Sequence, residues 1–273
     1  MKKNLIEKID NLPPLPSNIL ELDDFKKVEH SSPEKLIKII EKDPLMVTTI
    51  LRIANSSMFG FRSKVDTLSR AIHLLGMNFT ISVAMGTVIQ ETLKSNLCAY
   101  AVSTEDFIFS SALASKIVNT WISSIDFDLK DELLLPAFLQ ETGKFVISEV
   151  IQEKKQTEEF LRLLDEKNDI SFCEEEFTGF SCARITANVF KNWSLGHNLV
   201  FTIGFVGDLE NCPKEYIKKV QILEIVKILT DVRAPLNDFA IEKAIKKVVD
   251  YDFDLEHFLN SLDAIKEEIE ENS

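Results

Sequence analysis

The chain has 273 residues, 45% of them hydrophobic, which is enough apolar material for a sizeable core and excludes a disordered chain. Its 31 Lys and Arg stand against 44 Asp and Glu, a formal net charge of −13, so nucleic acid would meet a repulsive average field and is not expected as a partner. Only 8 Gly and 8 Pro occur, which favours long helices over a fold of many short strands.

No apolar run reaches the ~20 residues a membrane-spanning helix requires, and the start, MKKNLIEKIDNLPPLP, has no signal-peptide core. A cytoplasmic protein with no membrane partner is expected. The cysteines, Cys98, Cys173, Cys182 and Cys212, show no CxxC spacing. They are expected to be reduced, mostly buried thiols rather than metal ligands, disulfides or nucleophiles.

The first landmark in chain order is Leu12-Pro13-Pro14-Leu15-Pro16. Proline fixes φ and keeps its predecessor out of the helical region, so the segment must be extended. A strap whose leucines pack on a bundle is favoured over a polyproline ligand for a partner. Ser32-Pro33-Glu34 is a helix start with a hydroxyl cap, a proline in the first turn and an acid near the positive dipole end. Asp43-Pro44 repeats the signal, and Val47, Ile50, Leu51 and Ala54 follow at helical spacing.

Leu68, Ala71, Ile72 and Leu75 mark a further face, with Gly76 expected as a left-handed C-cap and another helix from about residue 78. The helix-glycine-helix pattern imitates a DNA-reading motif. Its second helix, residues 78–90, has no Arg or Lys to reach phosphate or guanine, which argues against that reading. Further helices are expected from 104 to 121, from Asp131 through Val146 with Pro136 near its start, and over 157–167, 182–193, 197–208, 213–232, 238–249 and 255–271. No period-two strand is found, and the chain is expected to divide near residue 103, into 1–103 and 104–273.

Catalytic signatures are missing. His30, His73, His197 and His257 are isolated, none with a second histidine three or four residues away, so a histidine-based metal centre is not expected. There is no GxSxG elbow, Walker loop or GxGxxG unit. The run Glu174-Glu175-Glu176 reads as solvated acids on a polar face. Lys116, Lys144 and Arg184 are cations that could meet a phosphate, but ordinary surface charge is the simpler reading.

Three strings carry a resemblance: LPPLPSNILEL, DPLMVTTILRIANSSMFGF and SRAIHLLGMNF. In this order and spacing they resemble the start of an HDOD domain, the HD-related output domain of bacterial signalling proteins. The similarity extends over residues 5–208, and the helices beyond, over 213–273, carry no motif of the family. The resemblance implies an all-α, two-lobed helical bundle whose second lobe is similar to HD phosphohydrolases, where histidines and a His-Asp pair hold metal. Here Gln140-Glu141 stand where that pair would be, within LLLPAFLQETGK. The earlier histidine falls near Phe109 or Ser110, the later one at Ser181 or Cys182, and a histidine-rich turn of many relatives at Gly204-Phe205-Val206-Gly207. Only Glu141 could ligate, and one carboxylate does not hold a divalent ion tightly.

The resemblance therefore implies a vestigial pocket of Phe109, Ser110, Gln140, Glu141, Lys144, Ser181, Cys182 and Phe205, with no metal or other cofactor, either filled by Phe109 and Phe205 or left as a groove. Gly143 is expected at a close helix contact, and Lys144 in solvent or paired with Glu141. The expected function is non-catalytic signalling or regulation through other signalling proteins, with no input domain of its own. The alternatives are a divergent metal-dependent phosphohydrolase or phosphodiesterase and a nucleotide-binding sensor without turnover.

Overall fold

Ser32 and Asp43 cap two helices where the sequence signals lie. A computed structural model of the chain describes residues 2–27 and 32–272; His30 lies outside them. After α1 (Lys2–Asp10), the residues from Leu12 to Pro16 run extended into α2 (Ser17–Lys27). Leu12 and Leu15 pack on the core, and the Trp193 indole N–H donates to the Pro13 carbonyl at 2.8 Å, so the segment is a strap. In α3 (Pro33–Ile40) the Ser32 hydroxyl accepts from the Lys35 N–H, and in α4 (Pro44–Ala54) the Asp43 carboxylate accepts from Leu45 N–H.

Neither α1 nor α2 has a strong sequence signal. Leu5 and Ile9 are the core contacts of α1, too few to define a period, and packing on α9 and α12 defines the helix.

Next, α5 (Leu68–Leu75) and α6 (Met77–Leu93) meet at 117° about Gly76. The glycine has the expected positive φ, but at φ 84°, ψ 156° it is outside the left-handed helical region and serves both helices as a corner. Fourteen of the 17 residues of α6 are buried, which rules it out as a DNA-reading helix. Its buried hydroxyls at Thr80, Ser82, Thr87 and Thr92 each donate to the carbonyl four residues back. Gly86 lets the Phe138 ring pass, since a Cβ there would lie 2.1 Å from it.

The rest of the chain folds as α7 (Thr104–Ile122), α8 (Phe127–Leu139), α9 (Gly143–Glu153), α10 (Thr157–Lys167), α11 (Ile170–Thr178), α12 (Cys182–Asn192), α13 (His197–Gly204), α14 (Ile217–Leu229), α15 (Asp238–Asp250) and α16 (Leu255–Glu271). No strand occurs among the described residues, and one continuous core runs from Leu5 to Ile265. No described helix alone is long and apolar enough to cross a membrane.

One expected helix is two. Asp126 caps Leu129 N–H at 3.0 Å and starts α8 before Asp131, so Pro136 is its tenth residue. The helix then tightens, with Thr142 N–H to Leu139 O and Lys144 N–H to Glu141 O, and turns into α9. The last helix docks on α7, where Trp121 meets Phe253 and Phe258 edge-on and its carbonyl lies 2.9 Å from His257 Nε2. His257 is structural, His197 opens α13, and His73 is exposed on α5.

Asp43 also accepts from the Asn18 amide at 3.0 Å, joining α2 to α4. Asp43→Ala should therefore lower stability by about 1 to 2 kcal/mol, the upper range for a lost N-cap. An unmoved urea midpoint would show that this cap contributes nothing.

Candidate functional site

The Gln140 to Lys144 corner between α8 and α9 lies against the start of α12. Gly143 has no side chain because there is no room for one: a Cβ would fall 2.8 Å from Thr186 Oγ1 and 2.9 Å from the Cys182 carbonyl. In that space the Gly143 N–H donates to Thr186 Oγ1 at 2.9 Å, and the Thr186 hydroxyl has the Cys182 and Gln140 carbonyls at 2.9 and 3.1 Å as acceptors.

Lys144 points inward from the first turn of α9 and has no exposed surface. Its Nζ lies 2.5 Å from Glu174 Oε1 on α11 and 2.8 Å from Glu141 Oε2. The Tyr100 hydroxyl donates to the same Glu174 oxygen at 2.9 Å, and Lys144 Nζ stands 5.1 Å from the centroid of the Tyr100 ring. From α14, Lys227 Nζ comes within 3.4 Å of Glu141 Oε1. Helices α9, α11 and α14, the turn after α8 and the short segment carrying Tyr100 thus meet in two carboxylates, two ammonium groups and a phenol.

Burial sets the electrostatics, and the ammonium groups divide its effect. Burial alone would raise the Glu141 carboxyl, but Lys144 and Lys227 outweigh it and hold Glu141 down at about 2. Burial prevails at Glu174, which is raised despite Lys144, with the Glu141 charge adding to the rise. Burial would lower Lys144, yet Glu141 and Glu174 hold it well above its usual value. Burial first, then the Glu141 and Glu174 charges, push the Cys182 thiol well up, so it is not a poised nucleophile.

Several expectations are corrected here. Of the two places expected for Lys144, the pairing with Glu141 is found and the solvent is not: it is buried, no ordinary surface charge, and two carboxylates receive its end. Lys116 is also buried and pairs with Glu268, whereas Arg184 pairs with Asp208 at 3.1 Å. Glu174 is not solvated: its neighbours Glu175 and Glu176 are exposed, but it lies on the Ile170, Glu174, Phe177 stripe that α11 turns inward. Cys173, Cys182 and Cys212 are buried, and Cys98 is exposed.

Of the expected pocket residues, Gln140, Glu141, Lys144 and Cys182 come together. Cys182 Sγ is 3.8 Å from the Glu141 carbonyl, and Ser181 caps α12 through Arg184 N–H. Ser110 is buried within α7; Phe109 packs on the core, and Phe205 lies beside Phe201. Neither phenylalanine fills the space beside Glu141. That space is an open groove of about 850 Å³ reached by Ser181, Arg184 and Val206 on one side and by Lys227, Phe239 and Lys243 on the other, with the nearly buried Glu141 at its floor.

Tyr100, Thr186 and Lys227 were not singled out by sequence, and Glu174 was read there as solvated. Glu174 had a signal, its place on an apolar stripe; Tyr100 and Lys227 had none, since they arrive from distant segments.

The corner does not fit a divalent metal. Among the described residues no group of three or more His, Cys, Asp or Glu could hold one, and the two converging carboxylates already enclose an ammonium group. The Gln140 amide is buried and makes no hydrogen bond, and an amide is a weak ligand in the position of an imidazole.

The fold has known counterparts, and the likeness is in the course of the chain. It is similar to a Geobacter sulfurreducens HDOD domain protein of unknown function (TM-score 0.69, 17% identity, 98% of this chain and 94% of that one). It is also similar to a Shewanella amazonensis protein suggested to be a phosphohydrolase (TM-score 0.67, 20% identity, 97% and 95%). These likenesses define the class of fold, an HDOD-type helical bundle. The sequence profile of the HDOD domain matches residues 12–208, and the chain belongs to that family. An uncharacterized protein of Treponema pallidum is 24% identical over 223 residues, 78% of this chain, which spans 41% of that relative's length.

Two outcomes follow for the buried cluster. Lys144→Met leaves Glu141 and Glu174 buried without their shared ammonium and should cost about 3 to 5 kcal/mol in urea unfolding; a loss within the ordinary surface range would contradict the ion-pair geometry. The second concerns pH. Glu141, depressed from 4.5 to about 2, contributes stability present above its unfolded value and lost as pH falls through its folded value; Glu174, raised, acts in the opposite sense. The parent's stability advantage over Glu141→Gln should be greatest above about pH 5 and shrink towards pH 2, read from urea midpoints.

Proposed function

We propose that this HDOD protein is a non-catalytic regulatory module that acts by binding other proteins. The observation carrying this reading is Lys144 Nζ between Glu141 Oε2 and Glu174 Oε1, at 2.8 and 2.5 Å. A hydrolytic metal must be gripped by several ligands while it lowers the pKa of a bound water. Here the one acid in a ligand position is engaged by Lys144 and Lys227, whose charges oppose a divalent ion. Without an activated water, general acid and base groups alone supply only about 10²- to 10⁴-fold. The scaffold survives in Gly143, Thr186 and the α8 to α9 turn, and scaffold with a disabled centre suits recognition better than turnover.

Protein purified without chelator should carry no stoichiometric divalent metal by elemental analysis. It should not hydrolyse phosphomonoesters or cyclic dinucleotides with added manganese, magnesium, iron or zinc. One bound ion per chain, with turnover lost in Glu141→Ala, would replace this reading with a divergent phosphohydrolase.

A further inference from the structure

The end of α16 lies against α7 and the loop that precedes α5. Lys116 of α7 is a core-facing cation, 7% exposed, and Glu268 of α16 is the one acid in ion-pair range of it among the described residues. The Lys116 ammonium stands 4.8 Å from the centroid of the Phe59 ring, which stacks on Phe61 at 5.7 Å. Beside that ring Gly60 leaves room for Asn272, since a Cβ there would fall 2.5 Å from the Asn272 amide nitrogen. The same nitrogen donates to the Glu268 carbonyl, so Glu268 and Asn272 reach the loop as one unit. The loop is basic in an acidic chain. Arg62, Lys64 and, in the first turn of α5, Arg70 are exposed and have no ion pair among the described residues; Arg70 donates to the Ser63 hydroxyl. Asp66 is the one acid between residues 55 and 75.

The segment seated on this face is weakly held. Beyond Ile265 no described residue of α16 is buried, and Ile269 is the one apolar side chain that packs partly on the core. Glu267, Glu268, Glu270 and Glu271 repel one another at helical spacing and sit at the negative end of the helix dipole, with no basic residue in the last turn. A helix end with so few apolar contacts opens at low free energy. Opening removes the only acid from Lys116 and leaves a desolvated cation beside an aromatic pair, a state that another carboxylate would relieve.

We propose that Phe59, Gly60 and Lys116, with the cations from Arg62 to Arg70, form a docking site for an acidic helical segment of another protein, and that the end of α16 occupies it in the free protein. The chemistry of the occupant is that of the segment seated there: a carboxylate on Lys116, a small polar group at Gly60 and further acids towards Arg62, Lys64 and Arg70. The partner displaces a tethered competitor whose effective concentration is on the order of mM, so the end of α16 sets a threshold for binding. The inference goes beyond the non-catalytic reading to a second surface and uses none of the residues of the Glu141 corner.

The test is fluorescence anisotropy of the full chain with a dye-labelled peptide DAIKEEIEEN, the sequence of residues 263–272, beside the same peptide with glutamine for every glutamate. Glu268→Lys sets like charge against Lys116 and frees the end of α16. It should bind the glutamate peptide saturably and roughly tenfold more tightly than the unchanged chain does. Glu268→Gln, a milder change at the same exposed position, should fall between them. In the Glu268→Lys background, Arg62→Ser/Lys64→Ser changes exposed positions, should leave the urea midpoint in place and should weaken binding several-fold. Lys214→Ser/Lys218→Ser, which removes equal charge around the start of α14, should leave it unchanged. No gain in either Glu268 variant, equal weakening in both double variants, or equal affinity for the glutamine peptide would overturn the proposal. The metal and turnover assays on the same preparations bear on the non-catalytic reading alone.

Discussion

An ammonium group with no exposed surface must find its hydrogen bonds inside the protein, and Lys144 finds them on Glu141 and Glu174. Three backbone arrangements serve that need. The turn after α8 presents Glu141, the first turn of α9 presents Lys144, and α11 is rotated so that one acid of its triplet faces the core. Attraction between unit charges is about 4 kcal/mol at 4 Å in a medium of effective dielectric 20. Desolvation of each ion costs a comparable amount. The cluster's net contribution is therefore small, while losing one partner exposes the other to the full penalty.

That balance differs from the electrostatics of a metal centre. A metal centre gathers excess negative charge and neutralises it with an ion from solution; this corner gathers the neutralising charge from its own chain. Lys227 lies in α14, beyond the 12–208 match to the family, so the C-terminal helices complete the corner and wall its groove. A segment without a family motif here takes part in the electrostatics of the buried corner.

Much of this was readable in the sequence because it is local. Ser32-Pro33, Asp43-Pro44 and the polar residues before α7, α15 and α16 announce helix starts through bonds that close within a few residues. Gly143 could be assigned to a close contact through the family resemblance. The misread parts depend on distant partners. Lys144 and Glu174 look like surface charges until α9 and α11 are placed side by side, and α1 becomes a helix only against α9 and α12. The start of α8 was missed for a different reason: Asp131 looked like a cap, but Asp126 is the residue that performs the capping.

The strap near the N-terminus bears on how the chain reaches this structure. Asn192 donates to the Ile9 carbonyl and Trp193 to the Pro13 carbonyl, contacts that span 183 and 180 residues. During synthesis the first helix and the prolines emerge early, yet the groups that hold them belong to the end of α12. Closing so long a loop costs entropy before any contact rewards it. This segment must therefore wait, apolar residues uncovered, until α9 and α12 have been made, and in that interval Leu5, Ile9 and Leu12 are the surface a nascent-chain chaperone would encounter.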